Sequence, residues 1–177
     1  TVSDLKSLPS TLSQYLGSTN SIQDIAYKLS TASDVLFLGR GLMYPVALEG
    51  ALKLKEISYI HSEGYAAGEL KHGPIALVDD SVPVVILAPC DELFEKNISN
   101  MQEVIARKAN VILISDKEGL QSADSMVKNT IEMPSTNKLL TPLVYALPIQ
   151  LLAYFTAVSK GTDVDQPRNL AKSVTVE

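Results

Sequence analysis

Three short runs of consecutive apolar, largely β-branched residues punctuate this chain: VLFLGR from Val35 to Arg40, VPVVILAP at 82–89 and NVILISD at 110–116. A run with no polar alternation reads as a strand buried on both faces. Such a strand needs helices on both sides of its sheet. The intervening segments supply them: Pro45 followed by helix formers predicts a helix from Tyr44 to Ser58, and a second helix is predicted over 92–108. YIHSE at 59–63 and TIEMP at 130–134 read as two weaker strands. At the start, Val2, Leu5, Leu8, Leu12 and Tyr15, then Ile22, Ile25, Ala26 and Leu29, recur at helical spacing, giving two amphipathic helices or one broken by Gly17. The reading is a single α/β domain over 1–177, a three-layer αβα arrangement with a five-stranded, mostly parallel sheet flanked by helices. Ligands in open sheets of this kind gather at the carboxyl ends of the strands. That directs attention to the loops after Leu38, Glu63, Pro89 and Asp116.

Several function classes lose ground at once. A formal net charge of -5 offers no broad basic surface for a phosphate backbone, so no nucleic-acid partner is expected. The single cysteine, Cys90, excludes an internal disulfide framework and leaves no paired Cys/His spacing for a structural metal, which fits a reducing cytoplasm. From Leu139 to Ser159 the chain carries no charge over a length that would span a bilayer. Pro142 suits a first helical turn, but Pro148 would kink the interior, and Thr141, Gln150 and Thr156 dilute the apolarity. A buried core helix is expected there, with no membrane contact. Thr1 is neither an initiator methionine nor part of a signal pattern, so the chain is expected to be a fragment of a longer one.

Candidate chemistry is thinly spread. FLGRGLMYP joins a strand to a helix through a Gly-Arg-Gly turn that could aim amides at an anion, but Tyr44 stands where a dinucleotide fingerprint needs a small residue. Glu49, Lys53 and Glu56 share one helix face, with Leu48, Ala51 and Leu52 expected on the opposite one. That pattern is ordinarily a solvated ion-pair face, the alternative being that Glu56 lines a cleft and moves protons. His72 in ELKHGP has the residue type for proton transfer, and His61 is weaker. Lys172 in the terminal QPRNLAKSVTVE could form a Schiff base if neighbouring cations such as Arg168 tuned it. A polar terminus is otherwise expected to fray.

Taken together, FLGRGLMYPVALEGALKLKEISYIHSEGYAAGELKHGP and KGTDVDQPRNLAKSVTVE closely resemble the C-terminal region of the glucosamine-6-phosphate synthases, the isomerising glutamine:fructose-6-phosphate aminotransferases. The resemblance runs from about Val35 to Glu177. It implies a sugar isomerase (SIS) fold that occurs twice in the family's isomerase region, this chain being the second copy and residues 161–177 its active-site tail. The first copy, with a Ser/Thr-rich loop for the sugar phosphate, and an N-terminal glutaminase domain would lie elsewhere in the full-length chain.

By the same resemblance, Lys172 corresponds to the lysine that forms a Schiff base with the open-chain ketose. Glu56 corresponds to the base that shuttles a proton between sugar carbons 1 and 2, and His72 to a histidine that opens the ring and is shared across the subunits of a homodimer. Lys53, Arg168 and Ala171 fall among the family's substrate contacts. The implied reaction makes glucosamine 6-phosphate from fructose 6-phosphate and glutamine-derived ammonia, in hexosamine biosynthesis, without metal or cofactor. The isolated chain is expected to be catalytically incomplete. Two alternatives stay open: a non-catalytic module that senses a sugar phosphate, and a related deglycase or isomerase of amino-sugar or fructosamine phosphates.

Overall fold

In a computed structural model, residues 2–123 and 126–170 are described. The chain runs α1 (Val2–Leu16), α2 (Asn20–Leu29), β1 (Asp34–Gly39), α3 (Met43–Ser58), β2 (His61–Ala66), two 3-10 turns (Ala67–His72 and Pro74–Leu77), β3 (Pro83–Leu87), α4 (Phe94–Ile105), β4 (Asn110–Asp116), α5 (Lys117–Ser122), β5 (Asn129–Met133) and α6 (Thr141–Lys160). The five strands form one sheet in the order β2-β1-β3-β4-β5, every pairing parallel. The αβα reading therefore holds, and the sheet is parallel throughout.

Strand alternation divides the apolar runs between two cores. Val35 and Phe37 of β1, Val85 and Leu87 of β3, and Ile112 and Ile114 of β4 face α2, α3 and α6. Leu36, Leu38, Val84, Ile86, Val111 and Leu113 face α4 and the 3-10 turns. Continuous apolarity is what a strand needs when both of its faces are covered. Two glycines set how closely α3 lies on the sheet. A Cβ on Gly39 would come within 2.3 Å of the Met43 carbonyl oxygen, and one on Gly64 within 2.9 Å of the Leu48 backbone.

The structure corrects several boundaries. Tyr59 cannot begin β2, because it takes the left-handed conformation (φ 60°) and donates its N–H to the Lys55 carbonyl, closing α3. The strand is displaced to His61–Ala66, in register with Asp34–Gly39. The helix expected over 92–108 is shorter, Phe94–Ile105, and Lys108 turns the chain with φ 68°. The face opposite the charges of α3 also differs: Ala51 is buried, but Leu48 and Leu52 are 43% and 41% exposed. The buried stripe instead runs through Met43, Val46, Ala47, Gly50, Ala51, Leu54 and Ser58.

Helix α5 has no counterpart in the sequence reading. Its signal was Asp116, whose carboxylate accepts the Gly119 N–H at 3.0 Å as an N-cap. Helix α6 is long and apolar enough to cross a membrane. Here Val144, Ile149, Leu152 and Ala153 are buried in the core shared with α2 and α3, while Leu143, Tyr154 and Val158 stand about half exposed.

Candidate functional site

Helices that follow parallel strands run back antiparallel to them, so the end of α3 arrives at the amino ends of β1 and β2. Glu56 sits in that last turn, and the open groove around it, of about 510 Å³, is walled by Leu52, Glu56, Tyr59, His61, Arg168 and Leu170, among others. The carboxyl ends of the strands, where the sheet topology alone points, are at the far side of the molecule.

Glu56 is the carboxylate on this groove, and Lys53, one turn back on α3, pairs with it. The Lys53 Nζ donates to Glu56 Oε2 at 2.7 Å and lies 3.9 Å from Glu49 Oε1. Both side chains of the closer pair are partly exposed, 35% for Lys53 and 28% for Glu56, so the pair is open to solvent on one side. The hydrogen bond to Glu56, then the charges of Glu56 and Glu49, hold the Lys53 ammonium above its ordinary range and outweigh the opposing effect of desolvation. A lysine held protonated is a poor nucleophile and a good fixed cation. Lys53 is thus built to hold Glu56 in place and to favour negative charge beside it.

The segment after α6 is not frayed as far as residue 170. Gly161 ends the helix with φ 71°, and the Thr162 hydroxyl then donates to the Ile57 carbonyl at 2.6 Å, tying the segment to the last turn of α3. Asp163 Oδ1 accepts the N–H groups of Asp165 and Gln166, both at 2.9 Å. Arg168 lays its guanidinium 4.1 Å from the Tyr59 ring centroid and donates its backbone N–H to the Tyr59 hydroxyl at 2.8 Å. The left-handed turn at Tyr59 is what presents the ring to the tail. Replacing Tyr59 by Phe keeps the ring and removes only the acceptor. A bond worth ~1 kcal/mol corresponds to roughly fivefold faster amide exchange at Arg168. Hydrogen exchange read at that amide checks this, and an unchanged rate would mean that the tail is anchored elsewhere.

The candidates thus separate. Glu56, Lys53 and Arg168 come together at the amino ends of the strands. His72 lies beyond the carboxyl end of β2, 72% exposed, with Nδ1 2.8 Å from Glu69 Oε2. The strand alone interposes roughly 17 Å between the two ends. His61 is exposed on the rim of the groove and pairs with Asp34 at 2.7 Å. Ala171 and Lys172 lie outside the described residues. Arg40 of the Gly-Arg-Gly turn is committed to bracing, its Nε and Nη2 donating to Asn100 Oδ1 at 3.1 and 2.8 Å. Sequence reasoning missed Tyr59, since nothing in KEISY marks a helix cap that also stacks on a distant arginine. Among the described residues no group of three or more His, Cys, Asp and Glu side chains is arranged to hold a metal ion.

Comparison with known proteins gives this geometry a setting. The SIS domain family matches residues 28–160. The chain is 60% identical over 176 residues to a glutamine–fructose-6-phosphate aminotransferase (isomerizing) from Zymomonas mobilis, and 59% identical to one from Brucella abortus. In each case 99% of this chain is covered, and it spans 29% of the relative's length. The solved C-terminal domain of glucosamine-fructose-6-phosphate aminotransferase from Francisella tularensis superposes with a TM-score of 0.88 at 46% identity, over 93% of this chain and 46% of that one.

Proposed function

The chain belongs to the SIS domain family, and from that premise we propose that it is the isomerase half of an enzyme making glucosamine 6-phosphate from fructose 6-phosphate and glutamine-derived ammonia. The observation that carries this reading is the level and extent of identity to relatives bearing that activity's name. The local geometry supports it: a carboxylate with a protonated lysine beside it on an open groove, and the segment around Thr162 and Arg168 anchored at the rim.

In this reading the Lys172 amine condenses with carbon 2 of the open-chain ketose, forming an imine and releasing water. Ammonia then displaces the lysine, leaving nitrogen on carbon 2 and Lys172 free. The Glu56 carboxylate takes a proton from carbon 1 and returns it to carbon 2 while the carbon-1 hydroxyl proton passes to the nitrogen, which converts the ketose imine to an aldose amine. Hydrolysis of glutamine to glutamate supplies the ammonia. The Lys53 ammonium keeps Glu56 oriented through the hydrogen bond between them. Arg168 and Ala171 contact the sugar, and His72, far from Glu56 within one chain, acts across a homodimer interface as the acid and base that opens the ring. The glutaminase and the phosphate loop belong to other parts of the same cytoplasmic enzyme.

The test uses the complete protein. Fructose 6-phosphate and glutamine should yield glucosamine 6-phosphate by mass spectrometry. Borohydride added during turnover should leave a reduced hexose phosphate adduct on the peptide containing Lys172. Sugar-phosphate binding with no product and no adduct would identify a sensing module instead.

A further inference from the structure

The loops at the carboxyl ends of β1, β3, β4 and β5 enclose a second cavity of about 220 Å³, on the opposite side of the sheet's length from the Glu56 groove. It opens where the chain leaves β1 for β2 on one side and β3 for β4 on the other, the place in a parallel sheet where diverging loops leave a crevice. Its volume equals that of about seven waters. Cys90, Asp91, Asp116, Glu118 and Tyr145 line it.

Two independent features say what would fill it. The first is charge. Asp91, Asp116 and Glu118 contribute three carboxylates, and Lys138, the one cation among the lining residues, is paired with Glu92 and lies also in the field of Asp91, so negative charge remains in excess. The Asp116 oxygens are occupied by the N–H groups of Gly119 and Cys90, each at 3.0 Å, and Asp91 Oδ1 accepts the Leu93 N–H at 2.8 Å. Burial first, then the Glu118, Asp116 and Asp91 carboxylates, push the Cys90 thiol up, which registers the negative field inside. A phosphate would be repelled here and an ammonium drawn in.

The second feature is Tyr145. It is 1% exposed, and its hydroxyl has no hydrogen-bond partner. Ser115 and the Asp116 backbone lie on the donor side of its oxygen, and Asp91 is within electrostatic reach, but no acceptor meets the O–H itself by distance and angle. A buried O–H left unmade costs about 1–3 kcal/mol, and a native core retains one only for a reason. An acceptor oxygen arriving in the cavity would supply the missing partner.

We propose that this cavity binds a small, unphosphorylated polyhydroxylated amine, its ammonium group held by the Asp91 and Glu118 carboxylates and one of its oxygens accepting from the Tyr145 hydroxyl. The site is independent of the Glu56 groove and of the reaction proposed there. Ser135 and Thr136 on its wall supply further hydroxyls suited to a polyol.

Cys90 is a local reporter in the complete protein, read by peptide mapping after timed iodoacetamide treatment. Glucosamine, in amine-free buffer, should slow Cys90 alkylation at least threefold and saturably, while inorganic phosphate, fructose 6-phosphate and glucose should not. Tyr145→Phe should raise the half-protecting concentration about tenfold and melt no lower than the parent, because it removes an unsatisfied group. Glu118→Gln should weaken protection similarly. Absence of protection by glucosamine, equal protection by phosphate or glucose, or protection unaltered in Tyr145→Phe would each overturn the proposal.

Discussion

Glu56→Gln in the complete protein should lower amino-sugar formation by about 10²–10⁴-fold, the range for removing a general acid or base from its reaction. Glutamine hydrolysis and the melting temperature should hardly move. The substitution keeps the shape and hydrogen-bonding reach of the side chain but not its ability to take a proton. Its stability cost is small because the Lys53 pair is partly exposed, and exposed pairs contribute roughly 0–1 kcal/mol. Lys53 also keeps a second carboxylate, Glu49, at 3.9 Å, so the variant leaves no buried unpaired charge. Parallel assays of glucosamine 6-phosphate and of glutamate read the two half-reactions separately. A variant retaining more than about a tenth of the parent rate would remove Glu56 from the proton path. Loss of both half-reactions would indicate a damaged fold.

The second large effect concerns the fold. Gly39→Ala is expected to lower the melting temperature by 10 °C or more, at roughly 2–4 °C per kcal/mol for a domain of this size. The added methyl would stand 2.3 Å from the Met43 carbonyl oxygen, 2.6 Å from its carbon and 3.0 Å from the Tyr44 nitrogen, all backbone of the first turn of α3. Neither side can yield cheaply. Gly39 is paired to Ala66 of β2 and to Leu87 of β3, so β1 is held from both edges. The start of α3 buries Met43, Val46 and Ala47 in the core. Overpacking a core ordinarily costs about 1–3 kcal/mol, and a clash with backbone on both sides belongs at the top of that range or above it. Thermal unfolding followed by circular dichroism measures the shift. A drop of under about 2 °C would show that the entry to α3 is soft.

Much of the architecture was legible because it rests on local rules. VLFLG, PVVIL and VILIS read as strands covered on both faces, and Lys53 and Glu56, three apart on one helix, read as neighbours. The errors share a cause. β2 was placed two residues early because the left-handed cap at Tyr59 is imposed by the strand's register with β1, and YIHSE carries no mark of it. Leu48 and Leu52 were expected on the face opposite the charges, yet both are substantially exposed and the stripe that α3 buries runs through Val46, Ala47, Gly50, Ala51 and Leu54. Asp116 did announce α5, but as one capping residue before six it made a weak signal.

The sequence by itself determined the α/β layering, the strands, the helix that carries Glu56 and the charged partner that helix gives it. Each follows from periodicity and side-chain chemistry over a few residues. Only the tertiary structure decided which distant residues meet. Because the strands are parallel, α3 must return to their amino ends, and there Tyr59 meets Arg168, 109 residues along the chain. The same constraint carries His72 to the far end of β2 and gathers Asp91, Asp116, Glu118 and Tyr145 around a cavity at the carboxyl ends of the strands, whose place the sheet topology indicates but whose lining only the fold assembles. Spacing along the chain fixes neighbours within an element. Assembly of the sheet, with its entropy cost met by burial in two cores, fixes the rest.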